Sequence, residues 1–292
     1  MQRADRIGVP DKILAFDAFI DRKSRAAAAA ELPPYITELE RPLDGMLAIG
    51  SAWTTRLFDG PFYLSPRPER LPACHLVFVQ SLDRNTGARD PQTLGGGETD
   101  KHLIYEGLAR VSADAVLAGS STVRGGRVVF SVWHPELVRL REALGQPRHP
   151  VQIVATRRGV PIDRDLLYNI PTLRLILLTA PGGLTVMRDA LAERPWITTI
   201  VVDTGRTLID AFEELRGMGI HRISAVGGRN LAGELIDAGL VQDVYLTTSP
   251  VAGGEPGTPM YSGPLDLQTV VRKRGTRYEA GVVFEHSVLR PT

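Results

Sequence analysis

The sequence predicts an α/β protein of three layers, α/β/α, with a largely parallel sheet and an N-terminal helical extension. Three observations carry this. From His75 onward, short apolar runs alternate with segments whose apolar residues recur at helical spacing. Several runs, such as Ala115–Gly119 and Leu173–Thr179, are apolar almost throughout, as in strands covered by helices on both faces. A glycine pair, Gly227-Gly228, stands directly between a strand-like run and a helix-like one.

Residues 1–70 differ in style from the rest. Ile13, Leu14, Phe16, Phe19 and Ile20, followed by Ala26 to Ala30, read as a helix or helix pair that Pro33-Pro34 ends. Four prolines between Pro61 and Pro72 mark an extended strap. The extension reads as a packing or dimer arm in preference to a catalytic element. Residues 71–292 form the main domain. Its predicted strands are His75–Ser81, Ala115–Gly119, Val151–Thr156, Leu173–Thr179, Thr198–Asp203, Arg222–Val226 and Val244–Thr248, with a last one near Gly281–Val288. Its predicted helices are Thr99–Val111, Pro135–Leu144, Leu184–Glu193, Leu208–Met218 and Arg229–Ala238, the last closed by Gly239.

Composition narrows the function. A chain of 292 residues can bury a large core, and a net charge of +1 makes no case for nucleic acid or a membrane surface. No apolar run approaches the roughly 20 residues of a spanning helix. The N-terminus lacks an apolar signal core. A single cysteine, Cys74, permits no intrachain disulfide and no cysteine-rich zinc site, so no metal is expected and a cytoplasmic setting fits. The P-loop, the nucleophile elbow and the zinc-deaminase signature are all missing. The six histidines are dispersed. His221 and His286 fall in or beside predicted strands and read as structural, while His102, after Asp100 at a helix start, fits either role.

Open parallel sheets bind ligands outside the carboxyl ends of their strands. That rule selects four loops: Gly119–Gly126, Thr156–Arg158, Thr179–Gly183 and Gly227–Asn230. The first offers small hydroxyls, glycines and Arg124, a composition suited to phosphate oxygens. Thr156-Arg157-Arg158-Gly159 repeats that formula, and an arginine pair beside a hydroxyl suits the 2′-phosphate that separates NADP from NAD. Gly227-Gly228 leaves the first amides of the next helix open to an anion, or simply makes a tight turn. The residues alone therefore describe an α/β domain that binds a phosphorylated nucleotide or sugar.

Taken together, these loops resemble the reductase domain of riboflavin biosynthesis, the RibD C-terminal family, which shares the dihydrofolate reductase fold. The resemblance runs from about Leu71 to Leu289. Phe78-Val79-Gln80-Ser81-Leu82-Asp83 is similar to the family's first strand and its S-L-D-G, with Arg84 for the glycine. Leu94-Gly95-Gly96-Gly97-Glu98-Thr99-Asp100, Arg110 and Ala113 to Gly119 resemble the following loop, helix and strand. Ser121-Thr122-Val123 matches G-T-V with Ser121 for glycine. Val154 to Gly159 resembles the next nucleotide loop. Gly227-Gly228 to Leu231, then Gly239 to Asp243 and Pro250, resemble E-G-G-x-x-L, G-L-V-D-E and a proline.

The resemblance implies a mixed sheet, NADPH as hydride donor, a homodimer and a small heterocyclic substrate, a pyrimidine carrying a ribosylamino phosphate. On it, Thr122, Thr156 and Gly227, Gly228, Arg229, Asn230 and Leu231 contact NADPH, and Gly119, Ser121, Arg124, Arg157 and Thr179 complete the cofactor set. Ser81, Asp83, Arg110 and Val226 lie at the substrate end. Asp83 is the acid assigned a catalytic role, with turn capping before Arg84-Asn85 as the alternative. Arg84, Arg89, Arg110 and Arg127 are candidates for a substrate phosphate or carboxylate, or solvated surface arginines.

Two positions depart from the family. Val226 stands where many members carry an acid before the glycine pair, and Gly126 where many carry one after G-T-V. An isopropyl group in place of a carboxylate leaves pyrimidine N–H donors unpaired, at a cost of about 1–3 kcal/mol each. Valine before the glycine pair is usual in dihydrofolate reductases. Three readings follow: an NADPH-dependent pyrimidine reductase, a dihydrofolate or pterin reductase, and a nucleotide-binding homologue without catalysis.

Overall fold

A computed structural model describes residues 9–124 and 128–290. Helix α1 (Val9–Ala29) leads into strands β1 (Tyr35–Glu40) and β2 (Leu47–Ile49), helix α2 (Ala52–Phe58), and strands β3 (Phe62–Leu64) and β4 (Ala73–Gln80). One continuous helix follows: α3 (Gly97–Thr99), a π-helical stretch (Asp100–Leu108) and α4 (Ala109–Val111). Next come β5 (Ala115–Gly119), the short α5 (Ser120–Val123), α6 (Pro135–Ala143), β6 (Val151–Thr156), β7 (Leu175–Thr179) and α7 (Pro181–Ala192). The chain ends with β8 (Ile197–Val201), α8 (Leu208–Gly217), β9 (Arg222–Val226), α9 (Arg229–Asp237), β10 (Asp243–Thr248), β11 (Leu267–Gly275) and β12 (Val283–Leu289).

One ten-stranded sheet has the order β1-β11-β12-β10-β4-β9-β5-β6-β7-β8. Strands β10 to β8 in that order run parallel, and β12, β11 and β1 extend it antiparallel. The sheet is therefore mixed and mostly parallel, with helices on both faces. Alternation along each strand explains the continuous apolar runs. Val77, Val116 and Val154 pack to one side with Phe16, Phe19 and Trp133, while Leu76, Leu117 and Ile153 pack to the other with Phe212, Leu231 and Leu235.

The N-terminal extension is built into this core. Helix α1 is a single helix rather than a pair, and its Phe16 and Phe19 are buried with Tyr35 of β1. The strap holds the short β3, paired with β2, on either side of α2. Ser51 and Thr54 form a capping box at the start of α2. Lys273 of β11 is fully buried. Its Nζ donates to Thr37 Oγ1 (2.8 Å) and the Asp59 carbonyl (2.9 Å), tying β1 and the end of α2 to the sheet. Among the described residues, no helix is long and apolar enough to cross a membrane.

Candidate active site

A cleft of about 1040 Å³ opens at the carboxyl ends of β4, β9, β5 and β6. Its floor is apolar, with Val77, Phe78 and Val79 of β4. One wall is the glycine turn. Gly227 and Gly228 adopt φ of 70° and 85°, a left-handed path that L side chains resist. A Cβ on Gly227 would stand 3.2 Å from Thr122 Oγ1, so the missing side chain lets the turn close on Thr122. Helix α9 begins at Arg229, and Arg229, Asn230 and Leu231 join the lining with Gly119, Ser121, Thr122 and Arg124.

Thr156 and Arg157 border the same wall. The Thr156 hydroxyl donates to the Gly159 carbonyl (3.1 Å), which holds the loop after β6 in shape. Arg157 is exposed and ion-paired with Glu234 of α9, itself part of the lining. Arg158 is exposed and lies outside the cleft.

The other wall is the π-helical stretch, which carries Asp100, Lys101, Tyr105 and Glu106 to the cleft, with Arg110 from α4. Helical geometry with this wider turn is concentrated at functional sites. Burial pushes the Asp100 carboxyl up to about 7; a hydrogen bond from the Thr247 hydroxyl to Oδ1 opposes this, and the Glu279 charge adds to it. Gly96 and Gly97, at the start of the helix, serve this arrangement. A Cβ on Gly96 would stand 2.8 Å from Asp100 Oδ2, and one on Gly97 would stand 2.5 Å from Glu279 Oε1. That Glu279 oxygen accepts from the amides of Glu98 (2.7 Å) and Thr99 (3.2 Å), capping the helix start.

Arg110 is 1 % exposed and fixed between rings, 4.3 Å from the Tyr105 centroid and 5.4 Å from that of Phe130. Its Nη1 donates to the Ser131 carbonyl (3.1 Å), while Nε and Nη2 find no partner among the described residues. Glu106 meets His102 Nδ1 at 2.9 Å and Lys23 Nζ at 3.2 Å. Burial alone would raise its pKa; the adjacent His102 ring nitrogen and the charges of Lys23 and Arg110 outweigh that and hold it below the ordinary carboxylate value. Lys23 and Phe19 belong to α1, so the extension lines the cleft as well as packing beneath it.

Several residues singled out from sequence lie elsewhere. Asp83 is exposed outside the cleft lining, and its Oδ2 accepts from the Gly253 amide (3.0 Å). The reason is local. The chain reverses after β4 through Arg84, at φ 63°, with the Arg84 amide bonded to the Ser81 carbonyl. Ser81 is buried and donates to the Gly253 carbonyl (2.8 Å). Val226 is fully buried in the core with Val77. Thr179 is 3 % exposed beside Gly183 of α7, and it lies outside the cleft because β7 lies beyond β6, away from the glycine turn. Of the candidate arginines, Arg89 and Arg110 line the cleft and Arg84 does not, while Arg127, like Gly126, lies outside the described residues. Sequence reading passed over Asp100 as a site residue. Its signal was the run Gly95-Gly96-Gly97, since consecutive glycines mark close approach to a neighbour.

A profile described as the RibD C-terminal domain matches residues 72–284. The chain belongs to that family. A relative from Methanothermobacter thermautotrophicus, 26 % identical over 197 residues, is named 2,5-diamino-6-ribosylamino-4(3H)-pyrimidinone 5′-phosphate reductase; the match covers 66 % of this chain and 84 % of that one. A pyrimidine reductase-like protein of Corynebacterium diphtheriae superposes with a TM-score of 0.57 at 18 % identity, over 76 % of this chain and 93 % of its own. RibD of Acinetobacter baumannii gives 0.58 at 15 % identity, over 76 % of this chain and 59 % of that longer one. At such identities the superpositions establish the fold, and helix α1 with β1 lies before the matched region.

Proposed function

We propose that the protein is an NADPH-dependent reductase of the riboflavin-biosynthesis type. Its substrate is a phosphoribosylamino-pyrimidine, 5-amino-6-(5-phosphoribosylamino)uracil or the diamino analogue. The observation that carries this reading is that the phosphate-type groups, Gly227, Gly228, Thr122 and Arg157, and the acid–cation set, Asp100 and Arg110, line one continuous cleft. The name of the Methanothermobacter relative supports the substrate class.

In this reading the left-handed glycines and the first amides of α9 receive the pyrophosphate of NADPH. Thr122 and Thr156 position it, and Arg157 exchanges Glu234 for the 2′-phosphate. NADPH, when bound, supplies a hydride. The reaction also consumes one proton: hydride joins C1′ of the ribosylamino group, the C1′–O4′ bond breaks, and O4′ takes the proton. Asp100 is the proton source. Its Oδ1 accepts from Thr247, so the acid form carries its proton on Oδ2, the oxygen beside Gly96. The unpaired Nε and Nη2 of Arg110 are offered to a substrate oxygen. In this reading Asp100 is the catalytic acid and Asp83 a turn residue.

Residues 71–292 form the reductase unit in this reading, and residues 1–70 add Phe19 and Lys23 to its cleft. A homodimer and a cytoplasmic setting complete it. NADPH and NADH titrations by nicotinamide fluorescence, followed by turnover assays, test it. The expectation is preferential NADPH binding and oxidation with the aminopyrimidine phosphate. Absence of NADPH binding removes the reductase reading, oxidation with dihydrofolate alone favours the pterin reading, and binding without turnover favours a non-catalytic homologue.

A further inference from the structure

A second cavity, of about 270 Å³, lies at the opposite end of the sheet. There the residues before β5 and β6 and the first residue of β9 meet the N-terminal extension. Leu47, Ile49 and Leu64 form an apolar wall. Arg67, Ser112 and Arg222 face it, and none of the described residues that line the cavity is acidic.

The polar side is incompletely satisfied. Arg222 is 3 % exposed, and its Nη2 donates to the Ser65 carbonyl (2.8 Å), but Nε and Nη1 have no partner among the described residues. Ser112 is buried and its Oγ is likewise unpartnered. The nearby acids are already engaged. Asp243 accepts from Ser65 (2.6 Å) and meets His286 Nε2 at 2.8 Å, while Asp114 accepts from the amides of His221 and Arg222, both at 2.8 Å. Burial is the main force pushing the Arg222 pKa down, and the Arg67 charge adds to it against Tyr245, Asp243 and Asp114. Two guanidiniums beside unpaired donors and an apolar wall are the complement of an amphipathic anion.

We propose that this cavity is a second ligand site, for a small organic oxyanion, a phosphate monoester or a carboxylate, on a compact apolar body. It joins the extension to the start of β9, the strand whose other end carries Gly227-Gly228, and it is separate from the reductase cleft.

Calorimetric titration with phenyl phosphate and, in a separate arm, benzoate tests this at constant ionic strength. The expected result is one-to-one binding of at least one probe, and the stronger of the two identifies the oxyanion. The exposed Arg67→Ala change weakens binding about tenfold, the loss of one charged hydrogen bond. Arg222→Met abolishes it, and Gly228→Asp, in the reductase cleft, leaves it unchanged. Failure of both probes to bind at millimolar concentration overturns the proposal. So does binding that survives Arg67→Ala and disappears with Gly228→Asp, which would locate the anion in the cleft. Neither outcome depends on reductase activity.

Discussion

A Cβ on Gly96 would stand 2.8 Å from Asp100 Oδ2 and 3.0 Å from Val79 Cγ2, so the glycine makes room for the carboxylate at the cleft. Gly96→Ala should push that carboxylate aside. The expected outcome is a lower kcat with an unchanged Kd for NADPH, read by steady-state kinetics beside fluorescence titration. An unchanged kcat would separate Asp100 from the chemistry.

Asp100 also sets a pH dependence. Its pKa is raised to about 7, chiefly by burial, so a role for the acid form gives full activity below that pH and loss of activity as pH rises through it. Asp100→Asn should remove this limb and reduce kcat by about 10²–10⁴, the usual contribution of a proton donor. Linkage gives a second readout. A carboxyl raised in the folded state favours folding below the ordinary carboxylate pKa and disfavours it as pH climbs through the folded value. The Asn variant should therefore melt above the wild type at pH well above 7, and a lower melting temperature there would contradict the assignment.

At the glycine turn, a Cβ on Gly228 would have its nearest neighbour, Thr122 Oγ1, at 3.7 Å, an ordinary contact. Space therefore permits Gly228→Asp, and the left-handed backbone adds a penalty of about 1–2 kcal/mol. The folded variant should lose NADPH binding through charge repulsion with the pyrophosphate. Normal binding by this variant would make the turn merely structural.

Lys23 meets Glu106 at 3.2 Å, and both line the cleft. Lys23→Met should raise KM for the pyrimidine about tenfold, the equivalent of one charged hydrogen bond, while leaving NADPH binding intact. Lys23→Arg should restore it. Equal losses for both ligands would point to a general loosening of the fold.

Most of the sheet was legible because its strands are buried on both faces. Ala115–Gly119, Val151–Thr156 and Arg222–Val226 coincide with the observed β5, β6 and β9. β11 was not legible. Its Arg272, Lys273 and Arg274 lack the apolar pattern that marks the other strands, and Lys273 is buried against Thr37 and the Asp59 carbonyl, partners far away in the chain. The glycine-turn wall of the cleft followed from strand ends and glycines, which are local signals. The wall formed by the π-helical stretch did not. Asp83 follows β4 directly and Asp100 sits within a helix, so the strand-end rule favoured the former. A reversal at Arg84 and a π-helical stretch, neither announced by residue type, put Asp83 on an exposed turn and Asp100 in the cleft.

The proposed reaction transfers hydride from NADPH to C1′ of a ribosylamino-pyrimidine phosphate. Mass spectrometry of the product formed with NADPH deuterated at the transferable position tests it directly. The expected product carries one deuterium, on the first carbon of a ribityl chain. Recovery of unreduced substrate, or deuterium in the heterocyclic ring, would contradict it.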